Sequence, residues 1–347
     1  MTRRLRFGVV GTSAISGRFV AAARSAGWRV TILVGSSVAS ADRFRQQCGS
    51  DALVCGDVGQ AAELAARECD VVYVASPNSL HAEHATAFLD AGVSVIVEKP
   101  AFAHPAELAR AQRLADARGV LLLEAARHRY EPNYGRLADR IRQLGPLSGA
   151  QLIFRQYSSK LAAYQHGDRP RVFDAQWAGG ALADLGVYLL YAAIDWFGMP
   201  EAAHYGAQVL PDTGADACGW GVLHYPAFRV DLAISKMHQS YAPSEVYTAD
   251  GRTLVVNHVT EIARAELSGR DVTGQELVLD RPADNPMRPE VDFAAALLSD
   301  VDAALTDPRY RQACERAAQV ARVTLWMRQD AGIVFPGDAA FEQGSDR

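Results

Sequence analysis

Residues 5–125 alternate short, continuously apolar runs with helix-length segments that mostly stop at a glycine, and that pattern leaves few folds open. An apolar run at 5–10 ends at Gly11. Residues 14–26 read as a helix with Gly27 at its C-terminal stop. The unit then repeats, with strands expected at 29–34, 53–55, 71–75, 93–97 and 120–123 and helices at 41–48, 60–67, 81–91 and 105–118. A strand that is apolar on both sides needs cover on both sides, and helical crossovers supply it. This region therefore specifies a doubly wound, parallel α/β sheet.

The texture changes near residue 126. Helices are expected at 134–144 and 181–197, separated by a strand at 151–157 and a polar, irregular stretch at 158–178. Alternating segments at 203–210, 217–224, 228–235, 245–248, 253–257, 261–267 and 275–279 predict an α+β domain with a large, mostly antiparallel open sheet. Helices at 289–298 and 308–328 close it. A chain of 347 residues suits two domains. These are expected at 1–125, for a dinucleotide, and at 126–335, for substrate and oligomerisation, with a frayed tail at 336–347. An open sheet face needs covering, which predicts a homodimer or homotetramer through that face.

Composition narrows the function classes. A net charge of −5 argues against a dedicated nucleic-acid binder or a binder of anionic membranes. No run approaches the roughly 18 apolar residues of a membrane span, so no membrane partner is expected. Arg3, Arg4 and Arg6 precede only four apolar residues, which read as a strand rather than a signal-peptide core. Cys48, Cys55, Cys69, Cys218 and Cys314 are an odd number without a C-x-x-C pair, as in the reduced thiols of a cytoplasmic protein. His81 and His84 stand at i, i+3, but no third ligand is evident, so no metal is expected. Of 35 basic residues only Lys99, Lys160 and Lys236 are lysines. Lysine, unlike arginine, gives up a proton, which draws attention to each lysine and above all to Lys99; for Lys160 and Lys236 chance survival is at least as good a reading.

Gly11-Thr12-Ser13-Ala14-Ile15-Ser16 lies between the first strand and the first helix, where a G-x-G-x-x-G fingerprint holds a pyrophosphate on free helix N–H groups. Only the first glycine is kept, and a plain tight turn is the bland alternative. The second strand ends at Gly35-Ser36-Ser37, with Arg43 following. No carboxylate stands there to repel a 2′-phosphate, so NADP(H) is expected over NAD(H), against the alternative that Ser36 merely turns the chain. Glu98-Lys99-Pro100 ends a buried strand, where partial desolvation lets a lysine exchange a proton. Asp184 and Tyr188, at i and i+4 beyond Gly179-Gly180, share a helical face. A carboxylate and a phenol aimed at a lysine ammonium would make a polar cluster for a substrate hydroxyl. Gly186 is expected to admit a ligand or another backbone.

The series Gly11-Thr12, Ser76-Pro77-Asn78 with His81, Ala91-Gly92, Glu98-Lys99-Pro100, Leu123-Glu124-Ala125 and the 179–188 stretch resembles the Gfo/Idh/MocA family of nicotinamide-dependent oxidoreductases over essentially the whole chain. Tyr188, where many members carry histidine, is similar to the branch of dihydrodiol dehydrogenases and glucose–fructose oxidoreductase. The resemblance implies a Rossmann domain with Gly11, Thr12, Ser13 and Ile15 along the pyrophosphate and Ser36 and Ser37 by the adenosine ribose. It implies Ser76, Pro77, Asn78 and His81 at the nicotinamide half, and Glu98 and Lys99 at the ribose and the reacting centre. Lys99, Tyr188 and Asp184 would be catalytic. The expected activity is hydride transfer on a sugar, cyclitol, diol or similar polyhydroxy molecule. Trp177, Arg127 and Tyr157 are the candidate substrate contacts, drawn from a polar and aromatic set that also holds His128, Arg129, Arg155, Lys160 and Tyr164. Two alternatives stand beside this reading: a sensor that binds dinucleotide and sugar without turnover, and a redox-assisted glycosidase on the same fold.

Overall fold

Two buried sheets organise the chain, one in each of two packing units. The computed structural model describes residues 4–270 and 272–342. Unit 1 comprises the described residues of Met1–Arg127 with Asn285–Ala318, and unit 2 those of His128–Asp284 with Gln319–Arg347.

Unit 1 runs β1 (Arg6–Val10), α1 (Ala14–Ser25), β2 (Arg29–Val34), α2 (Val38–Gln47), β3 (Leu53–Cys55), α3 (Val58–Glu68), β4 (Val71–Val74), α4 (His81–Asp90), β5 (Ser94–Glu98), α5 (Pro105–Arg118) and β6 (Leu122–Ala125). Its sheet has the order β3-β2-β1-β4-β5-β6 and is parallel throughout. Strand order reverses between β1 and β4, so the crevice at the carboxyl ends of these two strands is where such a sheet takes a ligand. β4 is buried at every residue, as its unbroken apolar run requires. The elements begin where local chemistry tells them to. Asp57 caps α3 through Gln60 N, and His104 with Glu107 makes a reciprocal cap on α5. α2 starts at Val38, three residues before the sequence expectation, because Ser37 and Ser40 form the same reciprocal cap.

Phe7, Phe19 and Trp28 meet edge-on in the core, and Phe19 stacks on Tyr73 with ring centroids 3.8 Å apart. Met287, Val291, Ala294 and Leu297 join this core from a late helix, α9 (Arg288–Leu298). The 285–318 stretch, expected in the second domain, thus packs with unit 1 because its apolar face completes the cover over α1. Asn285 also donates to Arg18 O at 3.2 Å. α10 (Val301–Ala304) follows, and α11 (Pro308–Asp330) begins in unit 1, where the Tyr310 hydroxyl accepts from Leu122 N.

Unit 2 contains α6 (Pro132–Arg142), β7 (Leu147–Arg155), α7 (Leu161–Gln165), α8 (Val187–Phe197), β8 (Ala202–Val209), β9 (Asp216–His224), β10 (Arg229–Ser235), β11 (Ser244–Thr248), β12 (Thr253–Val256), β13 (Ala265–Gly269), β14 (Val272–Glu276), the end of α11, and α12 (Ala339–Glu342). Its sheet is β14-β13-β12-β11-β7-β10-β9-β8, antiparallel except where β10 runs parallel to β7. α8 packs on one face. Trp220 stands 60% exposed on the other. The Ala175–Phe197 stretch is apolar enough for a membrane span by length and composition, but 83% of its window is buried within the fold, as in a core helix.

The tail differs from expectation. Residues 336–342 are tied down, because Arg328, 1% exposed, is held by both oxygens of Asp338 at 2.7 and 3.0 Å and lies 4.0 Å over the Phe335 ring. Residues 343–347 of the expected frayed tail lie outside the described residues. Removing one member of a buried ion pair strands the other charge and costs about 3–5 kcal/mol. Asp338→Ala should therefore lower the unfolding midpoint by several degrees; an unchanged midpoint would show that the clasp carries no stability.

Candidate functional site

The candidate site residues fall into two sets, one in each unit. In unit 1 the β1–α1 turn begins at Gly11, whose φ of +105° disfavours any side chain. A Cβ there would stand 2.3 Å from Ala75 O, so the turn closes directly onto the end of β4. Ser13 is the cap residue of α1 yet makes no capping bond from its side chain; its hydroxyl faces that of Ser16 at 3.4 Å. No acidic residue occupies the first turn of α1. Thr12 and Ile15 flank this amide cradle. Ser36 and Ser37 are exposed beyond β2, with Ser37 also engaged in the α2 cap, and Arg43 is exposed on the same helix.

Beyond β4, Ser76-Pro77-Asn78 leads into a 3₁₀ turn, Asn78–Leu80. The Ser76 hydroxyl is buried without a hydrogen-bond partner among the described residues, an orphan donor that a ligand at the crevice would satisfy. His81 is 1% exposed, with Nδ1 3.0 Å from Pro100 O and Nε2 2.8 Å from Ser76 O. Its ring therefore bridges two loops and offers no edge to the crevice. Burial pushes its pKa down to about 4, against the two carbonyls that favour the cation. Glu98 ends β5, is buried, and accepts from the Tyr73 hydroxyl at 2.5 Å and from Lys99 N at 3.1 Å. Burial raises its pKa, while the Lys99 charge pulls it back.

Glu290 on α9 carries no sequence signal of its own. It is 2% exposed and neither carboxyl oxygen has a hydrogen-bond partner among the described residues. Burial and then the charge of Glu98 hold its pKa well above the carboxylate range, opposed by Arg127. Arg127, expected to touch substrate, is thus electrostatically engaged with both glutamates of its own unit.

In unit 2, Gly179-Gly180 enters a π-helical turn, Leu182–Gly186, rather than the continuous α-helix expected over 181–197. A π turn widens one hydrogen-bonded ring and re-aims the residues within it, Asp184 among them. Asp216, buried, accepts from Leu182 N at 2.8 Å and from the Tyr205 hydroxyl at 2.7 Å, and so caps the start of this turn. A Cβ at Gly180 would meet Asp216 Oδ1 at 2.0 Å. Gly186 admits no ligand, because a Cβ there would lie 2.8–2.9 Å from the side chains of Leu182 and Ile234. Asp184 keeps a 32% exposed side chain and is ion-paired with the Lys236 ammonium, whose side chain is 7% exposed. Lys236, for which chance survival was at least as good a reading, is therefore the partner of a candidate site residue; its only sequence signal was lysine scarcity. Tyr188 is 9% exposed, with the His128 ring edge-on at 4.9 Å and Phe154 beside it.

Trp177 ends a 3₁₀ turn, with the Arg171 guanidinium 4.4 Å from its ring centroid. Tyr157 is 49% exposed. Arg129 is committed to Asp195 at 2.7 and 3.1 Å, in a pair that Tyr134 also joins. Among the described residues no cluster of three or more His, Cys, Asp or Glu side chains forms a metal site.

The sequence model of an oxidoreductase family with an NAD-binding Rossmann fold matches residues 5–125. The chain is 30% identical to scyllo-inositol 2-dehydrogenase (NADP(+)) IolU of Bacillus subtilis over 97% of this chain and 100% of that protein. It is 31% identical to D-xylose 1-dehydrogenase (NADP(+)) 2 of Haloferax volcanii over 78% of this chain and 83% of that one. Among solved structures, the 3-ketoreductase KijD10 of Actinomadura kijaniata, in complex with NADP and TDP-benzene, has the same fold, with a TM-score of 0.81 at 22% identity over 94% of this chain and 98% of that one.

The buried imidazole makes stability depend on pH. An unfolded His81 titrates near 6.5 and the folded one near 4, so the native state binds fewer protons between these values. Stability is full above pH 6.5, falls as pH drops through that window, and levels off below it. In denaturant titrations from pH 7 to 4, His81→Gln should flatten this slope; equal slopes would assign it to other groups.

Proposed function

The chain belongs to the Gfo/Idh/MocA oxidoreductase family, and on that premise we propose that it moves a hydride between NADP(H) and a carbinol or ketone carbon of a sugar, cyclitol, diol or related polyhydroxy molecule. The observation that carries this reading is the tight glycine turn into the first turn of α1, which has no side-chain cap and no acidic residue, next to the unsatisfied Ser76 hydroxyl at the strand-order switch. NADP-dependent relatives acting on inositol and xylose support it.

Gly11, Thr12, Ser13 and Ile15 would hold the pyrophosphate on the amides of the first turn of α1. Ser36, Ser37 and Arg43 would take the 2′-phosphate. Two hydroxyls and a guanidinium suit that dianion, and no carboxylate ends β2 to oppose it. Ser76, Pro77, Asn78 and Glu98 would serve the nicotinamide half, with His81 holding the Ser76 and Pro100 loops in register. The cofactor supplies or accepts the hydride when bound. Lys99 and Tyr188 hold and move the hydroxyl proton. A lysine cation eases ionisation of a phenol and stabilises an oxyanion. Asp184, kept partly exposed and ionically paired, orients the substrate hydroxyl. Trp177 and Tyr157 would offer ring faces to the sugar, and Arg127 would act through Glu98 and Glu290. A sensor without turnover has no use for a lysine and a tyrosine with proton-transfer chemistry.

The reduced thiols suit the cytoplasm, and the open face of the eight-stranded sheet, with Trp220 exposed on it, suits a homodimer or homotetramer. Light scattering should give a mass above the 37.5 kDa of one chain at micromolar concentration; that mass itself would refute the assembly. Protein-fluorescence titration should show NADPH binding much tighter than NADH, and parity would overturn the Ser36/Ser37/Arg43 assignment. Lys99→Met should reduce kcat by about 10²–10⁴-fold with NADPH affinity nearly unchanged, and a variant with near-normal kcat would remove Lys99 from proton transfer.

A further inference from the structure

We propose that Lys236 is a positioning residue for the reaction, fixing the carboxylate of Asp184 in the orientation that receives a substrate hydroxyl; this rests on the role of Asp184 in the function proposed above. The geometry begins with the strand. β10 ends at Ser235, and backbone pairing runs one residue further, with Lys236 N donating to Ala217 O at 2.9 Å and Lys236 O accepting from Ser158 N at 2.9 Å. The Ser235 hydroxyl then accepts from Met237 N and His238 N, which ends the strand sharply. Side chains two apart on a strand share a face. Ile234 lies against Gly186 of the π turn, and Lys236, one residue past the strand, reaches the same turn. There its ammonium meets Asp184 Oδ2.

The two partners differ in exposure. The Lys236 side chain is 7% exposed and that of Asp184 32%. The lysine is therefore the buried anchor and the aspartate the group that reaches the surface. The buried Lys236 ammonium gives the Asp184 carboxylate a fixed partner. A hydrated surface lysine would hold such a carboxylate weakly. A lysine confined by strand pairing on both sides loses little further freedom when it pairs.

The test uses the full chain and four variants. Lys236→Met removes the charge at similar volume and Lys236→Arg restores one. Asp184→Asn removes the partner, and the double variant closes a thermodynamic cycle. Initial rates are read with NADP+ and, as probes, scyllo-inositol, D-xylose and a 1,2-diol, beside NADPH affinity by fluorescence. Lys236→Met should cut kcat/KM roughly 10- to 100-fold, mainly through the KM for the polyol, with NADPH affinity within about twofold of the parent. Lys236→Arg should recover most of the loss, and the double variant should be no worse than Asp184→Asn alone. Lys236→Met at parental kcat/KM, or losses that multiply in the double variant, would overturn the proposal.

If Asp184→Asn itself turns over normally, or the wild type oxidises none of the probes, the reading of Asp184 fails and takes the proposal with it. If Asp184→Asn is impaired and Lys236→Met is not, the proposal fails alone. A second measurement needs no activity. With three lysines in the chain, reductive methylation followed by mass spectrometry reports each one. Lys236 should be protected in the parent and lose that protection in Asp184→Asn, and an unchanged rate there would show that the ion pair does not hold Lys236.

Discussion

Six parallel strands buried on both faces leave polar chemistry nowhere to go except their ends. The strands of unit 1 carry Val, Ile, Leu and Tyr toward helices above and below, and their backbone groups are spent on each other. The order reversal between β1 and β4 then opens a crevice at the carboxyl ends. Gly11, Ser76, Glu98 and Lys99 all follow or end strands there. Because that scaffold is rigid, a side chain at a strand end inherits a fixed position. A rigid scaffold of this kind suits function carried by a few loop residues.

Buried ionisable groups are the second thread. Those among the described residues are answered in several ways. Asp216 is spent on helix capping and a tyrosine hydroxyl, and Arg129 on a two-pronged pair with Asp195. Arg328 is closed off by Asp338. Glu98 takes a phenol and a backbone amide, whereas Glu290 has charged neighbours but no hydrogen bond among the described residues, and burial raises its pKa.

Much of the first unit was legible because its signals are local. Apolar runs, glycine stops and capping residues act within a few positions, so strands and helices of unit 1 were placed to within a few residues. The misses came from contacts distant in sequence. The 285–318 stretch has the pattern of any amphipathic helix, and nothing in it says which core it joins. The π turn at Leu182–Gly186 is set by Asp216 and by the packing of Gly186 against Ile234, partners some thirty to fifty residues away. The ordered tail depends on Arg328, whose burial no composition rule would suggest.

By itself the sequence determined the doubly wound sheet, the mostly antiparallel partner sheet and the short list of residues able to bind a dinucleotide and manage a proton. It did so because periodicity and turn chemistry are properties of neighbouring residues. Only the tertiary structure decided what those residues are free to do. His81 spends both nitrogens on backbone carbonyls, Gly186 is filled by its own chain, and Asp184 is held by a lysine fifty-two positions away. Burial and pairing are set by which parts of the chain meet, and the strength of a charge or a hydrogen bond depends on that meeting more than on the residue itself.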